Sequence, residues 1–278
     1  MPSLVGSEMC IRDRNLLQTL FYNKKISNLN VDGKDLTIKH DSILRKKKLL
    51  RSAYETFYKD MSIYCDKYFK DDGLEIELGS GVGFFKSIRK KVITSDIREG
   101  FNYDMSLDAT DMSIDNDTVK CFFAINTFHH ISQPTKFFNE LNRVLKKNGG
   151  CILIEPHNGL LSRFIAKNIH KDEYFDTNEA EWDKKDKGGV LSDANQALSH
   201  NIFERDKLIF EKKYGKNLKV IKKKYIINGL RYILSGGLNF KQLFPSYLVF
   251  ILFILEKILT PFAKHWSPFR MIILKKIS

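Results

Sequence analysis

From Asp41 to Phe69 apolar residues recur every three or four positions, at Leu50, Tyr54, Phe57, Met61, Tyr64 and Tyr68. That period predicts one amphipathic helix, closed by Asp71-Asp72-Gly73. Leu74–Leu78 is a short apolar run broken by Gly79, the pattern of a buried strand running into a turn. Phe84, Phe85 and Ile88 give one face of a short helix, and Lys91–Asp96 reads as a second strand. Met105–Ala109 is a less apolar third, and Val119–Ile125 a fourth, apolar almost throughout as central parallel strands are. From Ser132 to Lys147 a helix is predicted, with Phe137, Leu141, Val144 and Leu145 as its buried stripe. Pro134 sits in its first turn, and Asn148-Gly149-Gly150 is expected to stop it. Cys151–Glu155 is a fifth strand. This alternation implies right-handed βαβ units and a mostly parallel sheet covered on both faces.

Beyond Pro156 the pattern loosens. Residues 157–198 are polar and irregular, with Trp182 and Gly188-Gly189, and read as an inserted cap. A helix follows from about Ser199 to Tyr214, then strands at Leu218–Ile227 and Phe269–Ile277. Between them Leu243–Leu255 carries no charge and is apolar on nearly every helical face. As a helix its thirteen residues reach about 20 Å, short of the roughly 30 Å hydrocarbon core of a bilayer, which argues against a span. Burial in the core is the plain expectation. An oligomer contact is a second, and an interfacial anchor over residues 243–270, aided by Lys257, Lys264, His265 and Trp266, is the third.

The chain divides accordingly into a leader (1–14), an N-terminal helical segment (15–72), a core (73–156), a cap over the acceptor side (157–217), and the last strands with an apolar helical insertion (218–278). The leader, MPSLVGSEMCIRDR, has neither a structural period nor the apolar centre of a secretory signal. It resembles translated sequencing-library adapter and is read as non-native.

Composition adds little to the fold. The 278 residues are 43% hydrophobic and 28% charged, which is ordinary for a folded chain. The net charge is +13, and seven of the thirteen residues from Lys212 to Lys224 are lysines, with no acidic residue among them. A solvated helix end and strand edge explains that run; a phosphate-contacting surface is the sharper alternative. Cys10, Cys65, Cys121 and Cys151 form no CxxC pair, so neither zinc nor redox chemistry is indicated, and a reduced cytoplasmic compartment is expected.

The chemistry concentrates after the first strand. Gly79, Gly81 and Gly83 stand where strand must turn sharply into helix, and backbone N–H groups there can approach an anion or carboxylate. The dinucleotide fingerprint is G-x-G-x-x-G, but here Phe84 takes the sixth position. Asp96, at the tip of the second strand, is placed to accept hydrogen bonds from ribose hydroxyls. Asp108 and Ala109, ending the third, are placed to meet an adenine ring. Asn126-Thr127-Phe128-His129-His130 follows the fourth strand.

Glu77 with the G-x-G-x-G loop resembles motif I of class I S-adenosylmethionine-dependent methyltransferases. The His-His pair, Arg143–Gly150 and Glu155-Pro156 resemble the small-molecule branch called type 11. The resemblance covers residues 73–156, and departs from the family pattern at Met112-Ser113-Ile114, where a proline-led loop is usual. It implies an α/β fold, a three-layer α/β/α sandwich with a mostly parallel, Rossmann-like sheet. It also implies S-adenosylmethionine as cofactor, bound by Glu77, Gly79, Ser80, Gly81, Gly83, Asp96, Asp108, Ala109 and Asn126.

Methyl transfer from a sulfonium is an in-line displacement that needs no metal, and alignment is most of the protein's task. A hydroxyl acceptor benefits from a general base, for which His157 is the first candidate, then His130 and His170. The expected function is methyl transfer to a small or lipid-linked acceptor at oxygen, in cell-surface glycan or lipid biosynthesis, at the inner face of the membrane. RNA methylation is the competing enzyme reading. Residues 126–129 lack the two prolines and the aromatic of the amino-directed nucleic-acid motif, and no RNA-binding module is present. A non-catalytic cofactor-binding scaffold is the other alternative, against which the intact Glu77, glycine loop, Asp96 and Asp108 argue.

Overall fold

Lys47 divides what the hydrophobic period predicts as a single helix. Helices α1 (Lys34–Lys46) and α2 (Lys48–Tyr68) meet at this residue, which is extended at φ −78° and ψ 92°. Its ammonium is drawn into the fold by the carbonyls of Ser235, Gly237 and Phe240, at 2.9, 2.8 and 2.5 Å. Burial lowers its pKa to about 8. The break is therefore set by partners far along the chain. The computed structural model describes residues 33–98, 103–168, 174–184 and 194–278, together with 21–23, 26 and 29. The leader, His170 and Gly188-Gly189 lie outside the described residues.

Among the described residues seven strands form one sheet: β1 (Leu74–Leu78), β2 (Ile93–Asp96), β3 (Met105–Ser106), β4 (Val119–Ile125), β5 (Leu145–Pro156), β6 (Leu218–Tyr225) and β7 (Phe269–Lys276). Their order is β3-β2-β1-β4-β5-β7-β6, parallel except that β7 runs antiparallel to both β5 and β6. Successive residues of β4 serve opposite faces. Phe122 and Ala124 join Leu153, Phe137 and Leu141 on one side; Cys121 and Phe123 join Ile152, Phe57 and Met61 on the other. Helix α2 covers the second face, while α3 (Pro134–Val144) and α4 (Leu160–Asn168) follow β4 and β5 in the chain. This is the expected three-layer α/β/α sandwich.

Several expected boundaries move. The helix predicted over Ser132–Lys147 ends at Val144, and the chain is already strand through Asn148-Gly149-Gly150. Gly150 is not a helix stop. A Cβ there would lie 2.1 Å from the Leu274 carbonyl oxygen and 2.3 Å from the Phe69 ring, so its missing side chain lets β7 and α2 close on β5. The expected helix from Ser199 is interrupted: Leu198–His200 runs into a π-turn, Asn201–Arg205, before α5 (Lys207–Tyr214). Asp206, at the break, accepts a hydrogen bond from Trp182 Nε1–H at 2.8 Å.

The largest correction concerns Leu243–Leu255. After α6 (Gly229–Ser235), helix α7 (Val249–Leu259) continues through a 3-10 turn into the short α8 (Ala263–Trp266). With the turn that precedes α7, the helical stretch is Ser246–Trp266, 21 residues, long and apolar enough to cross a membrane by length and composition. The thirteen-residue limit drawn from the sequence is too short. Core burial fails as well, because only Leu252 and Glu256 of α7 are buried.

Candidate functional site

The loop leaving β1 carries three alternate residues at positive φ: Gly79 (62°), Gly81 (53°) and Gly83 (64°). Gly79 and Gly81 are glycine for different reasons. A Cβ on Gly79 would meet Thr127 Oγ1 and Cγ2 at 2.5 Å, so the loops after β1 and β4 touch only because it has none. A Cβ on Gly81 would meet nothing within 4 Å, so this residue faces open space. Ser80 fastens the loop to β2: its N–H donates to the Ser95 carbonyl (2.8 Å), and its Oγ accepts from Ser95 N–H (2.9 Å).

Glu77 is buried beneath this loop, and its Oε2 has no hydrogen-bond partner. Burial, together with the negative charge of Asp96, pushes its pKa up to about 7. The Tyr58 hydroxyl and Ser80 lie near enough to oppose that shift without bonding Oε2. A carboxyl group held this way is costly until a cation reaches it.

Asp96, also buried, accepts from the Gly81 N–H at 3.1 Å through Oδ2. Arg98 grips both its oxygens, Nε at 3.0 Å and Nη2 at 2.9 Å. Burial alone would raise its pKa, but Arg98 and the backbone N–H groups together hold it below the ordinary range. Asp108 is half-buried and folded on itself, its Oδ1 accepting from Thr110 N–H and Oγ1 at 2.7 and 2.8 Å; Ala109 is half-buried beside it. Asn126, ending β4, has φ 51° without being glycine, and its buried Oδ1 has no partner. Strain of this kind tends to collect at functional sites. The strand order sets these groups along one sheet edge: Asp108 after β3, Asp96 on β2, the glycine loop after β1, and Asn126 after β4. Three strand spacings make that edge about 14 Å long.

The side of the site beyond β4 is organised by Glu155. Its Oε1 accepts from the N–H groups of Thr127 (3.0 Å) and Phe128 (2.8 Å), and its Oε2 contacts His129 Nδ1 at 2.6 Å. A carboxylate accepts, so Nδ1 carries the proton and the imidazole is fixed in one tautomer. The His130 ring lies against that of His129, tilted by 36° with centroids 4.3 Å apart. His157 follows β5; its Nε2–H donates to the Lys264 carbonyl oxygen at 3.0 Å, and its ring lies against Tyr225. Burial lowers its pKa.

The sequence pattern does not single out His129 as a base. A signal for it exists, since Ile125 pairs with Ile154 and the residues after both strands must meet. Arg270, the last residue of the segment read as an interfacial anchor, is buried on β7 instead. Arg270 is paired across the strands with Glu155 and ion-paired with Glu204 of the π-turn. The end of the lysine run is engaged within the chain: Lys223 with the Phe203 carbonyl and Glu204, Lys224 with Asp60.

The sequence model of the methyltransferase domain family matches residues 77–153, which run from β1 into β5 and hold every expected cofactor residue. Among curated protein sequences none matches the chain. Among solved structures it is similar to a protein of Pyrococcus horikoshii, at 14% identity over 81% of this chain and 91% of that one, TM-score 0.44. Geranyl diphosphate C-methyltransferase from Streptomyces coelicolor is similar at 12% identity, over 86% and 83%, TM-score 0.46. A SAM-dependent methyltransferase from Archaeoglobus fulgidus gives 15% identity over 80% and 93%, TM-score 0.41.

Proposed function

We propose that this class I S-adenosylmethionine-dependent methyltransferase methylates a hydroxyl group of a small or lipid-linked acceptor, of the kind used in cell-surface glycan or lipid assembly. The observation that carries the choice of oxygen is the Glu155–His129 pair at the tips of β5 and β4, beside the cofactor edge. A carboxylate-oriented imidazole is the arrangement that removes a proton from a hydroxyl.

The residues present fit the cofactor. The partnerless Glu77 Oε2 suits its ammonium group, and the open space at Gly81 admits its methionine portion. Asp96 would take the ribose hydroxyls once Arg98 gives way, with Asp108 and Ala109 at the adenine. Asn126, through its orphaned Oδ1, would meet the cofactor near β4. When bound, S-adenosylmethionine supplies a methyl group made electrophilic by the adjoining sulfonium.

His129 receives the acceptor hydroxyl's proton, and Glu155 stabilises the imidazolium that results. Its second oxygen, held by two backbone N–H groups, keeps the carboxylate from turning away. His157 serves instead as a tether between the end of β5 and α8. Turnover assays with hydroxylated acceptors test this reading: His129→Gln is expected to abolish transfer while S-adenosylhomocysteine still binds. Transfer at the wild-type rate by that variant would refute His129 as the base.

A further inference from the structure

Helix α7 is inverted relative to an ordinary surface helix. Its one carboxylate, Glu256, points inward and is buried against Arg231, with Nε to Oε2 at 2.8 Å and Arg231 N–H to Oε1 at 3.0 Å. Arg231 also reaches Ser52 Oγ at 2.7 Å. The opposite face is apolar. Phe250, Ile254 and Ile258, four residues apart and so aligned as one stripe, are 57, 56 and 63% exposed, and Phe262 in the 3-10 turn that follows is 61% exposed. On α4, which packs against α8, Leu160 and Phe164 form a similar pair at 61 and 57%.

The exposed charges of α4, α7 and α8 themselves have one sign. Between Asn228 and Ser278 the chain holds a single acidic side chain, the buried Glu256, and between His157 and Asn168 it holds none. Arg163, Lys167, Lys257 and Lys264 are all exposed on the helices that carry the stripes.

We propose that α4, α7 and α8 form one surface that docks on an anionic phospholipid bilayer, lying in the interface rather than crossing it. An apolar stripe flanked by lysine and arginine is what buries at the boundary between headgroups and acyl chains. Crossing is disfavoured because Leu252, Glu256 and Ala263 are buried against the body of the protein. A second copy of the chain is the poorer occupant: a two-fold contact would set these cations against each other.

The surface is joined to the acceptor side of the site through His157 and Lys264, and through Ser162 Oγ, which donates to the Ser267 carbonyl at 3.1 Å. Docking would bring that side to the lipid, which gives the surface its purpose on the reading of a lipid-linked acceptor. The binding itself is measurable without turnover.

Flotation of the full chain with vesicles tests the inference, alongside calorimetry with S-adenosylhomocysteine. Co-flotation is expected with phosphatidylglycerol-containing vesicles, weakening with salt, and not with pure phosphatidylcholine. Lys257→Gln and Lys264→Gln should each weaken it about fivefold. Ile254→Ser with Ile258→Ser should abolish it while cofactor binding and melting temperature stay at wild-type values. Failure of the wild type to float on anionic vesicles overturns the inference, as does undiminished flotation of the double serine variant. Concentration-dependent dimerisation lost in that variant, without flotation, assigns the surface to a second copy and also overturns it. Failure of the wild type to bind S-adenosylhomocysteine would instead count against the cofactor reading, so the two failures are distinguishable.

Discussion

Glu155 and His129 stand 26 residues apart in the chain and meet at 2.6 Å, on neighbouring strand ends. The same carboxylate receives two backbone N–H groups of the loop it orients. Glu155→Gln should therefore disturb two things at once, the imidazole tautomer and the loop. The turnover rate is expected to fall by about a hundredfold, the scale of a general base's contribution, with a smaller change in cofactor affinity. Raising the pH should not restore the rate if the tautomer is what was lost, and a pH–rate profile of the variant checks this.

Glu77 is expected to make cofactor binding depend on pH. Its folded pKa, about 7, lies above the ordinary value of 4.5, so without ligand its contribution to stability is present below pH 4.5 and lost as pH rises to 7. The shift corresponds to about 3 kcal/mol. A cation beside it favours the ionised form, so S-adenosylhomocysteine should bind more tightly as pH rises through this window, with proton release. Calorimetry in buffers of different ionisation enthalpy measures that release, which Glu77→Gln should remove. Proton uptake on binding would contradict the assignment.

The two glycines separate folding from binding. Gly81→Val should fold, at a cost of about 1–2 kcal/mol for a side chain at positive φ, and should lose cofactor binding because it fills open space. Gly79→Ala should instead destabilise the chain by forcing Thr127 away, and Thr127→Ala should recover part of that loss. Urea denaturation and cofactor titration of the three variants give the comparison. Equal stability of both glycine variants would show that the loops do not need this contact.

Arg231→Met leaves Glu256 buried without its partner, a change expected to cost about 3–5 kcal/mol at pH 7. Burial already raises the Glu256 pKa. Its protonation at lower pH relieves the unpaired charge, so the loss should be smaller at pH 5. Denaturation midpoints at the two pH values test it.

The central strands and the glycine loop were determined by the sequence itself. Val119–Ile125 and Cys151–Glu155 read as continuous apolar runs because both faces of the sheet are covered. Gly79, Gly81 and Gly83 were legible because positive φ admits few residue types, and Glu77 because its spacing from them repeats a recognisable pattern. Tertiary structure decided the rest. Gly150 looked like a helix stop, yet its role appears only when Leu274 and Phe69 close on it. Phe269–Lys276 alternates poorly because an antiparallel strand between two neighbours is buried on both sides. The outward face of α7 follows from the Arg231–Glu256 pair, which turns a charged residue inward, against the preference that periodicity assumes. Local pattern specifies which residues avoid water or require special backbone angles. Which partner each finds depends on contacts between segments far apart in the chain, and those also set the direction of His129 and the tether at His157.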